Sequence, residues 1–332
     1  MGAACAAVGV RSAMAEIADK TVWPGADWET ATPASQGMSE AGLGKLREYL
    51  EGTGTRAALV VRNGRIVGEW YWESASAETQ FPVYSVTKSF TATAVGMLAS
   101  AGKLKLDQPA ADFIPEWKDD GRKAITIRHL LAMTSGILKK EPEFFGQPDQ
   151  VAFAIAQPLK DAPGTRWDYS QVGLSPISRV IRAAAGVEMA DYLKEKLYAP
   201  LGITHYTHAA SAGHTLPYSG LAITARDLAR FGYLYLHEGR WKGKELVPAA
   251  FIREATTASQ ELEKAYGLLW WVNTHGQWNG LPRNAHAALG LYGNHLLVLP
   301  EKRLLVIRLV GTKEKADSDL SKMGTLALAT CV

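Results

Sequence analysis

The chain has 332 residues, of which 47% are hydrophobic. This is an ordinary globular composition, and the length suffices for one large domain or two interleaved ones. The formal net charge is only +3 and the basic residues are scattered without a run, which argues against a nucleic-acid-binding surface. No apolar stretch reaches the roughly 18 residues that a membrane span needs.

Two cysteines, Cys5 and Cys331, lie at opposite ends of the chain. They form no Cys-x-x-Cys or Cys/His cluster, so we expect isolated small apolar residues and no metal site, with a bridge between the termini as the alternative. Residues 2–10, followed by Ala13-Met14-Ala15, resemble a secretory signal without the usual basic region. We expect export to a periplasm or the medium, with an ordinary N-terminal helix of a cytoplasmic protein as the alternative.

The first regular elements in chain order are a helix and a hairpin. Residues 40–51 have a helical pattern, and two β-rich runs follow at Ala57–Arg62 and residues 65–70. Asn63-Gly64 joins these runs, and this dipeptide is the strongest short-range hairpin signal. The sequence therefore predicts a β-hairpin shortly before a long apolar helix.

That helix opens with Ser85 and Lys88, and the next charged residue is Lys103. Residues three apart on a helix share a face, with Cβ atoms about 5–6 Å apart, so the hydroxyl and the amine can meet. Burial and the helix dipole both lower the pKa of such a lysine, and a neutral lysine can take the proton of a serine nucleophile. The alternative is a serine N-cap with a lysine that extends to water.

The same Ser-x-x-Lys spacing occurs again at Ser100 and Lys103. Gly102 is typical of the residue just past a helix C-terminus, so Lys103 does not share a helical face with Ser100. We therefore expect only the first copy to form a pair.

Helical patterns dominate the middle of the chain, at residues 127–133, 151–156, 174–185 and 189–197. A helix over 224–235, β-rich runs at 267–273, 296–300 and 304–310, and a helix over 319–330 follow. We predict a mixed α+β (α/β) fold, with an antiparallel sheet flanked by helices and an all-helical inserted domain. The sheet domain comprises residues 24–120 and 221–332, the insert comprises 121–220, and the cleft between them is the natural ligand site.

Tyr169 follows the turn Pro163-Gly164 in the predicted insert, where a loop could project it into the cleft. A phenol in this place could relay the serine proton and later protonate a leaving group. The alternative is a tyrosine packed at the base of a loop.

The order of these features resembles the penicilloyl-serine transferase superfamily, which comprises class C β-lactamases, DD-peptidases and their esterase and amidase relatives. A Ser-x-x-Lys helix, a tyrosine-containing turn and a glycine-containing segment before the closing strands carry this resemblance. It extends over residues 32–327, with further similar stretches at residues 129–136, 199–203, 219–232 and 266–271.

The resemblance implies that Ser85 is the nucleophile, Lys88 its proton acceptor and Tyr169 the partner acid or base. The segment Ala288-Leu289-Gly290 stands where the third motif belongs, on the strand that lines the active site. It further implies an oxyanion hole formed by the backbone N–H groups of Ser85 and Leu291.

Two departures from the β-lactamase pattern concern the substrate. Tyr169-Ser170-Gln171 replaces Tyr-x-Asn, and Ala288-Leu289-Gly290 replaces Lys-Thr-Gly. Without that lysine a substrate carboxylate loses its main electrostatic anchor, for which Arg283, His286 and His295 are the candidate replacements. The non-polar motif is more similar to the carboxylesterases and aminohexanoate-dimer hydrolases of the superfamily. Candidate substrate-binding residues are Gln171, Trp167, Trp270, Tyr292, Asn294 and His295.

The sequence thus favours a serine hydrolase that cleaves carboxylic esters or linear amides through an acyl-enzyme on Ser85, with a small-molecule substrate and no metal or organic cofactor. A weak β-lactamase or DD-peptidase is the first alternative. A non-catalytic penicillin-binding-like sensor or scaffold is the second, although a scaffold has no reason to keep a lysine in an apolar helix. The patterns carry no signal for the oligomeric state.

Overall fold

The computed structural model describes residues 21–312 and 319–332. Cys5 and the signal-like segment lie outside the described residues, so the expectations for export and for a terminal bridge remain predictions. Within the described residues, no helix is both long enough and apolar enough to cross a membrane.

The main sheet confirms the predicted antiparallel assembly from distant segments, because its strand order is β10-β11-β12-β13-β1-β2 with every neighbouring pair antiparallel. Asn63 and Gly64 both have positive φ, as the tight turn between β1 and β2 requires. In the described residues the strands are β1 (Ala57–Arg62), β2 (Arg65–Tyr71), β3 (Phe81–Pro82), β4 (Tyr206–His208), β5 (Ala210–Ser211), β6 (His214–Thr215), β7 (Leu221–Ile223), β8 (Arg240–Trp241), β9 (Lys244–Glu245), β10 (Trp271–Val272), β11 (His286–Gly290), β12 (Asn294–Leu299) and β13 (Leu304–Leu309).

Helices cover both faces of this sheet and form most of the middle of the chain. A π-helical turn, Lys194–Tyr198, connects two of them. The α-helices in the described residues are α1 (Glu40–Gly52), α2 (Thr87–Ser100), α3 (Ile127–Leu131), α4 (Glu141–Phe145), α5 (Gln150–Ala156), α6 (Gln171–Leu174), α7 (Ile177–Ala185), α8 (Met189–Leu193), α9 (Ala199–Leu201), α10 (Ala225–Leu236), α11 (Ala249–Ala255) and α12 (Leu320–Ala329).

The sheet is the middle of three layers because side chains on its strands alternate between two apolar faces. On β1, Ala58 and Val60 pack in the cluster formed with α1 and α12. Leu59 and Val61 face the opposite side, in the cluster that contains residues of α2 and α10. The long buried helix α2 is thereby held between the sheet and the helical middle of the chain.

The middle of the chain contains short strands as well as the predicted helices. Strands β4 and β3 both pair with β7, and β5 pairs with β6. The structure thus adds strands to the C-terminal part of the region that the sequence predicts as all-helical. Runs of two or three residues are too short for an alternating pattern to show in the sequence.

The predicted strand over residues 267–273 is shorter in the structure, where only Trp271–Val272 pairs as β10. Leu269 has a φ of 59°, which is incompatible with extended backbone. Its carbonyl accepts the hydroxyl of Ser89 and its N–H donates to Leu131, so contacts with helices fix this turn.

Asn294 is a structural residue at the start of β12 and not a substrate contact. It is fully buried. Its Nδ2 donates to the carbonyls of Leu291 at 2.7 Å and Gly311 at 3.1 Å, and its Oδ1 accepts from the N–H groups of Val310 at 2.9 Å and Gly311 at 3.0 Å. This corrects the expectation that its amide meets substrate, since four backbone partners occupy it.

We expect Asn294→Ala to lower the free energy of unfolding by about 3 kcal/mol, because several buried backbone groups lose their partners. Urea denaturation measures the change. Asn279→Ala is the matched control, since Asn279 is exposed, and it should change stability by less than about 0.5 kcal/mol. Equal effects of the two substitutions would contradict the structural role.

Candidate active site

Ser85 lies in a tight turn just before α2. Strand β3 brings the chain in, the 3-10 turn Tyr84–Val86 follows, and α2 begins at Thr87. Tyr84 has a φ of 49°, so a non-glycine residue adopts the left-handed conformation directly before Ser85. The N-cap residue of α2 is Val86 and no side chain caps the helix. The structure therefore does not support the simple N-cap alternative for Ser85.

Lys88 is buried in α2 and does not extend to water, since 1% of its surface is exposed. Its Nζ lies 2.9 Å from Ser85 Oγ and donates to the carbonyl oxygen of Tyr218, also at 2.9 Å. Burial lowers the pKa of Lys88 to about 7, against an opposing effect of the Glu141 carboxylate. A large fraction of Lys88 is thus neutral near neutral pH, with its nitrogen in contact with a hydroxyl.

Tyr169 reaches the same point from the helical part of the chain, in the loop before α6. It lines the same cleft as Ser85. Burial raises the pKa of the Tyr169 phenol to about 12, against an opposing hydrogen-bond effect of the Ser85 side chain. The rings of Trp167, Tyr266 and Trp271 surround it at centroid distances of 6.2, 6.0 and 5.8 Å. Because the phenol stays protonated at neutral pH, Lys88 is the better base of the two.

A cleft of about 560 Å³ opens over Ser85. Gln171 and Ser219 are polar residues on its wall, and in the described part of the chain no Lys, Arg, Asp or Glu side chain lines it. The rest of the lining is mainly aromatic and aliphatic, from Tyr84, Phe145, Tyr169, Tyr218, Trp271, Leu289 and Leu291. Such a lining suits an uncharged, largely apolar ligand.

The predicted third-motif strand is β11, whose end lies against the turn that carries Ser85. Leu289 and Gly290 line the cleft, and Ala288 is buried behind them. A Cβ added to Gly290 would lie 2.2 Å from the carbonyl oxygen of Val83, so only glycine allows this approach. Leu291 follows in a 3-10 turn and also lines the cleft. The oxyanion role of the N–H groups of Ser85 and Leu291 remains a prediction.

Trp270 belongs to the core, which corrects its assignment as a substrate contact. It is fully buried and packs against Phe231 and Tyr235, at ring-centroid distances of 6.0 and 4.3 Å. Its neighbour Trp271 lines the cleft instead. Successive residues of extended chain point to opposite sides, so only one of the two tryptophans can face the ligand.

None of the candidate cations replaces the missing third-motif lysine. His286 and His295 are buried, and burial lowers their pKa values to about 4 and about 3, so both are neutral at pH 7. His295 shares a face of β12 with Leu297, which packs in the cluster of the terminal helices. His295 is therefore not a substrate contact. Arg283 is exposed and does not line the cleft.

The other candidates differ in their distance from the cleft. Gln171 lines it, and its role in substrate binding remains a prediction. Trp167 does not line the cleft and packs against the ring of Tyr169. Tyr292 packs edge-to-face on Tyr84 at 5.4 Å, so it supports a cleft residue and does not line the cleft itself.

Three residues near Ser85 escaped the sequence analysis. Phe145 and Tyr218 line the cleft, and Glu141 is the acidic group whose charge acts on Lys88. Of the three, only Tyr218 has a weak signal in the sequence, because it directly precedes the similar stretch at 219–232. Phe145 and Glu141 belong to the short helix α4, which no pattern predicted.

A serine in contact with a buried lysine and a tyrosine, at a cleft between an antiparallel sheet and a group of helices, is the arrangement of serine hydrolases with the β-lactamase-like fold. A sequence model of the Beta-lactamase family matches residues 45–329. The chain belongs to this family.

Named relatives of this chain have several activities. The 6-aminohexanoate-dimer hydrolase of Paenarthrobacter ureafaciens is 23% identical over 301 residues, which cover 80% of this chain and 75% of that protein. A family VIII carboxylesterase is structurally similar, with a TM-score of 0.69 and 18% identity over 89% of this chain and 99% of that chain. A penicillin binding protein from Bacillus halodurans has a TM-score of 0.68 and 19% identity, over 86% and 99% of the respective chains. At such identities the structural likeness establishes the fold.

We expect Gly290→Ala to lower the free energy of unfolding by about 2 kcal/mol, because the new methyl group pushes β11 away from Val83. Chemical denaturation measures the change. Gly44→Ala in α1 is the matched control: its Cβ would meet no atom within 4 Å, and it should stabilise the helix by up to about 1 kcal/mol. Stabilisation by both substitutions would show that β11 does not press on the nucleophile turn.

Proposed function

We propose that this protein is a serine hydrolase that cleaves uncharged carboxylic esters or linear amides through an acyl-enzyme on Ser85. One observation carries the proposal: the hydroxyl of Ser85 lies 2.9 Å from the nitrogen of a lysine that is buried in an apolar helix. A serine is a weak nucleophile unless a base removes its proton during attack, and burial makes Lys88 such a base.

In the proposed acylation step, Ser85 Oγ attacks the substrate carbonyl carbon while its proton passes to neutral Lys88 Nζ. The carbonyl π electrons move to oxygen, and the resulting oxyanion accepts hydrogen bonds from the N–H groups of Ser85 and Leu291. Donors that are already in place for this charge typically lower the barrier by about 3 kcal/mol each. The carbonyl of Tyr218 holds the lysine nitrogen beside Oγ throughout.

Collapse of the tetrahedral intermediate breaks the bond to the leaving alcohol or amine. The leaving group takes a proton from the Tyr169 phenol, which is replenished from Lys88, so both groups return to their starting states. Water then attacks the acyl-enzyme and gives a proton to Lys88. Lys88 passes this proton to Ser85 Oγ as the acyl bond breaks, which releases the carboxylic acid and restores the serine hydroxyl and the neutral amine. Protonated Tyr169 suits the role of proton donor, because its pKa of about 12 keeps the phenol neutral until the leaving group draws the proton away.

The lining of the cleft supports an uncharged substrate. In the described part of the chain no cation faces the cleft, and the nearby charge of Glu141 is negative, so a substrate carboxylate finds no partner. The aromatic and aliphatic walls favour an apolar acyl or alcohol group. The names of the dimer hydrolase and the carboxylesterase among the relatives agree with amide and ester substrates. A β-lactamase or DD-peptidase activity and a binding-only role therefore stand as the alternatives.

We expect a fluorophosphonate probe to label the protein at Ser85, and short-chain nitrophenyl esters to be hydrolysed faster than nitrocefin. Ser85→Ala should abolish labelling and lower ester turnover by about 1,000-fold or more, because no nucleophile remains. Ser100→Ala is the matched control. Ser100 is the exposed serine of the second Ser-x-x-Lys copy, and its loss should change neither property.

The alternatives give different outcomes in the same assays. Rapid nitrocefin turnover with slow ester cleavage would favour the β-lactamase alternative. Absence of labelling in the native protein would overturn the acyl-enzyme proposal and favour a binding-only role. A linear amide dimer, assayed on the same preparation, separates esterase from amidase preference.

The pH dependence follows from Lys88. Since only the neutral amine accepts the proton of Ser85, kcat/KM for a nitrophenyl ester should rise with pH and reach half its plateau near the Lys88 pKa of about 7. Tyr169, with a pKa of about 12, should add no alkaline limb below about pH 9. Lys88→Arg, which stays charged, should abolish turnover. A profile that is flat between about pH 5 and 9 would contradict Lys88 as the base.

A further inference from the structure

Two charged side chains form hydrogen bonds with the loop that carries Tyr169. Neither side chain lines the cleft. Lys139 Nζ donates to the carbonyl oxygen of Tyr169 at 2.7 Å and to Asp168 Oδ1 at 3.2 Å. Glu141 Oε1 accepts from the backbone N–H of Gln171 at 2.8 Å. The two side chains also face each other, with Lys139 Nζ 3.8 Å from Glu141 Oε2.

We propose that Lys139 and Glu141 are positioning residues that together hold the Tyr169 phenol against Ser85. This clamp, defined as the side chains of Lys139 and Glu141, rests on the proposed function of Tyr169 as proton donor. Its members come from one short segment at the start of α4, and they bind the backbone at Tyr169 itself and at Gln171, two residues further on.

The phenol needs such support because its loop has little regular structure. Residues 167–170 belong to no helix or strand, and α6 begins only at Gln171. The loop is tied to the rest of the chain by the N–H of Asp168, which donates to Met133. A proton donor must lie within hydrogen-bond reach of the reacting atoms, and a displacement of about 1 Å can lower the rate by about 100-fold.

The clamp contributes more to position than to overall stability. The side chains of Lys139, Glu141 and Asp168 are 36%, 21% and 41% exposed, and such partly exposed ion pairs contribute little to the free energy of unfolding. Loss of the clamp should therefore lower the rate of acylation while the protein stays folded. If the two residues served only stability, their loss would lower the free energy of unfolding, and the folded protein would keep its rate of acylation.

Glu141 has two separable effects, one as a hydrogen-bond acceptor and one as a charge. The groups that face Lys88 Nζ are the hydroxyl of Ser85, the carbonyl and ring of Tyr218 and the ring of Tyr169. Glu141 is the charged group whose field reaches Lys88, and it favours the protonated amine. Glu141→Gln keeps an acceptor oxygen and removes the charge, whereas Glu141→Ala removes both.

The experiment measures fluorophosphonate labelling rates and ester kcat and KM for full-length variants, with unfolding midpoints recorded alongside. We expect Lys139→Met to lower kcat and the labelling rate by about 10- to 100-fold with KM changed by less than about threefold, and Lys139→Arg to restore most of the loss. Lys196→Met is the matched control, because Lys196 forms an exposed ion pair with Glu195. Wild-type rates in Lys139→Met would overturn the proposal, as would a loss that follows a fall in the unfolding midpoint.

Glu141→Gln provides a second test that does not depend on Lys139→Met folding. It should keep kcat within about threefold at high pH and move the acid limb of kcat/KM to lower pH, whereas Glu141→Ala should also lower kcat by about 10-fold or more. The positioning role would be overturned if the acid limb of the kcat/KM profile did not move in Glu141→Gln and Glu141→Ala kept full activity.

Failure of the proposed function gives a different result. If the wild-type protein is neither labelled by the probe nor active on esters, the acyl-enzyme proposal is wrong. Crystal structures of the wild type and of Lys139→Met then test whether the clamp holds the phenol in place. A Tyr169 phenol that leaves Ser85 in the variant supports the positioning role. An unmoved phenol overturns it.

Discussion

The structure depends on one unusual interaction, which is an amine kept out of water in contact with a hydroxyl. Holding the pKa of Lys88 at about 7 instead of 10.5 corresponds to roughly 5 kcal/mol of disfavour for the charged form. An ammonium has three protons to donate, whereas Nζ here has a hydroxyl and a carbonyl as its hydrogen-bond partners. This set of partners suits a neutral amine. The absence of further charges along α2 agrees with the same requirement, since water or a carboxylate in direct contact with Nζ would favour the protonated amine.

Local backbone strain lies close to this interaction. Tyr84 and Tyr292 both have positive φ, at 49° and 64°, and they flank the two residues whose N–H groups are proposed to bind the oxyanion. Left-handed backbone costs roughly 1 kcal/mol or more at a non-glycine residue and persists only where the surroundings fix it. The edge-to-face contact between the two rings and the close approach of Gly290 to Val83 supply that support. The two turns are therefore held by each other, across the boundary between α2 and β11.

The parts of this site that the sequence predicted depend on short stretches of backbone. The Ser85 and Lys88 spacing requires only one helical turn, and the Asn63-Gly64 hairpin requires only two residues with positive φ. Local patterns could not show which of Trp270 and Trp271 faces the cleft, because both belong to one β-rich run. The turn at Leu269 decides this, and that turn depends on contacts with α2 and α3. For the same reason the sequence analysis misjudged or missed four other residues, which are Asn294, His295, Phe145 and Glu141. Their positions follow from tertiary contacts between distant segments, which leave no local pattern.

In the proposed mechanism the end of β11 acts through its backbone, so a third motif without its lysine can still serve acyl transfer to Ser85. In the proposed mechanism, Ser85 requires from β11 a glycine that allows close approach and an N–H at the next position, and neither requirement involves the side chains of Ala288 or Leu289. Those side chains are free to change with the substrate. Ala288 stands where the motif has its cation and Leu289 where it has its hydroxyl, so the attraction for a carboxylate is lost and the cleft wall gains the apolar surface of Leu289. Neither change alters the contact between Lys88 and Ser85. Substitutions at Ala288 and Leu289 can therefore change substrate preference without disturbing the buried Lys88.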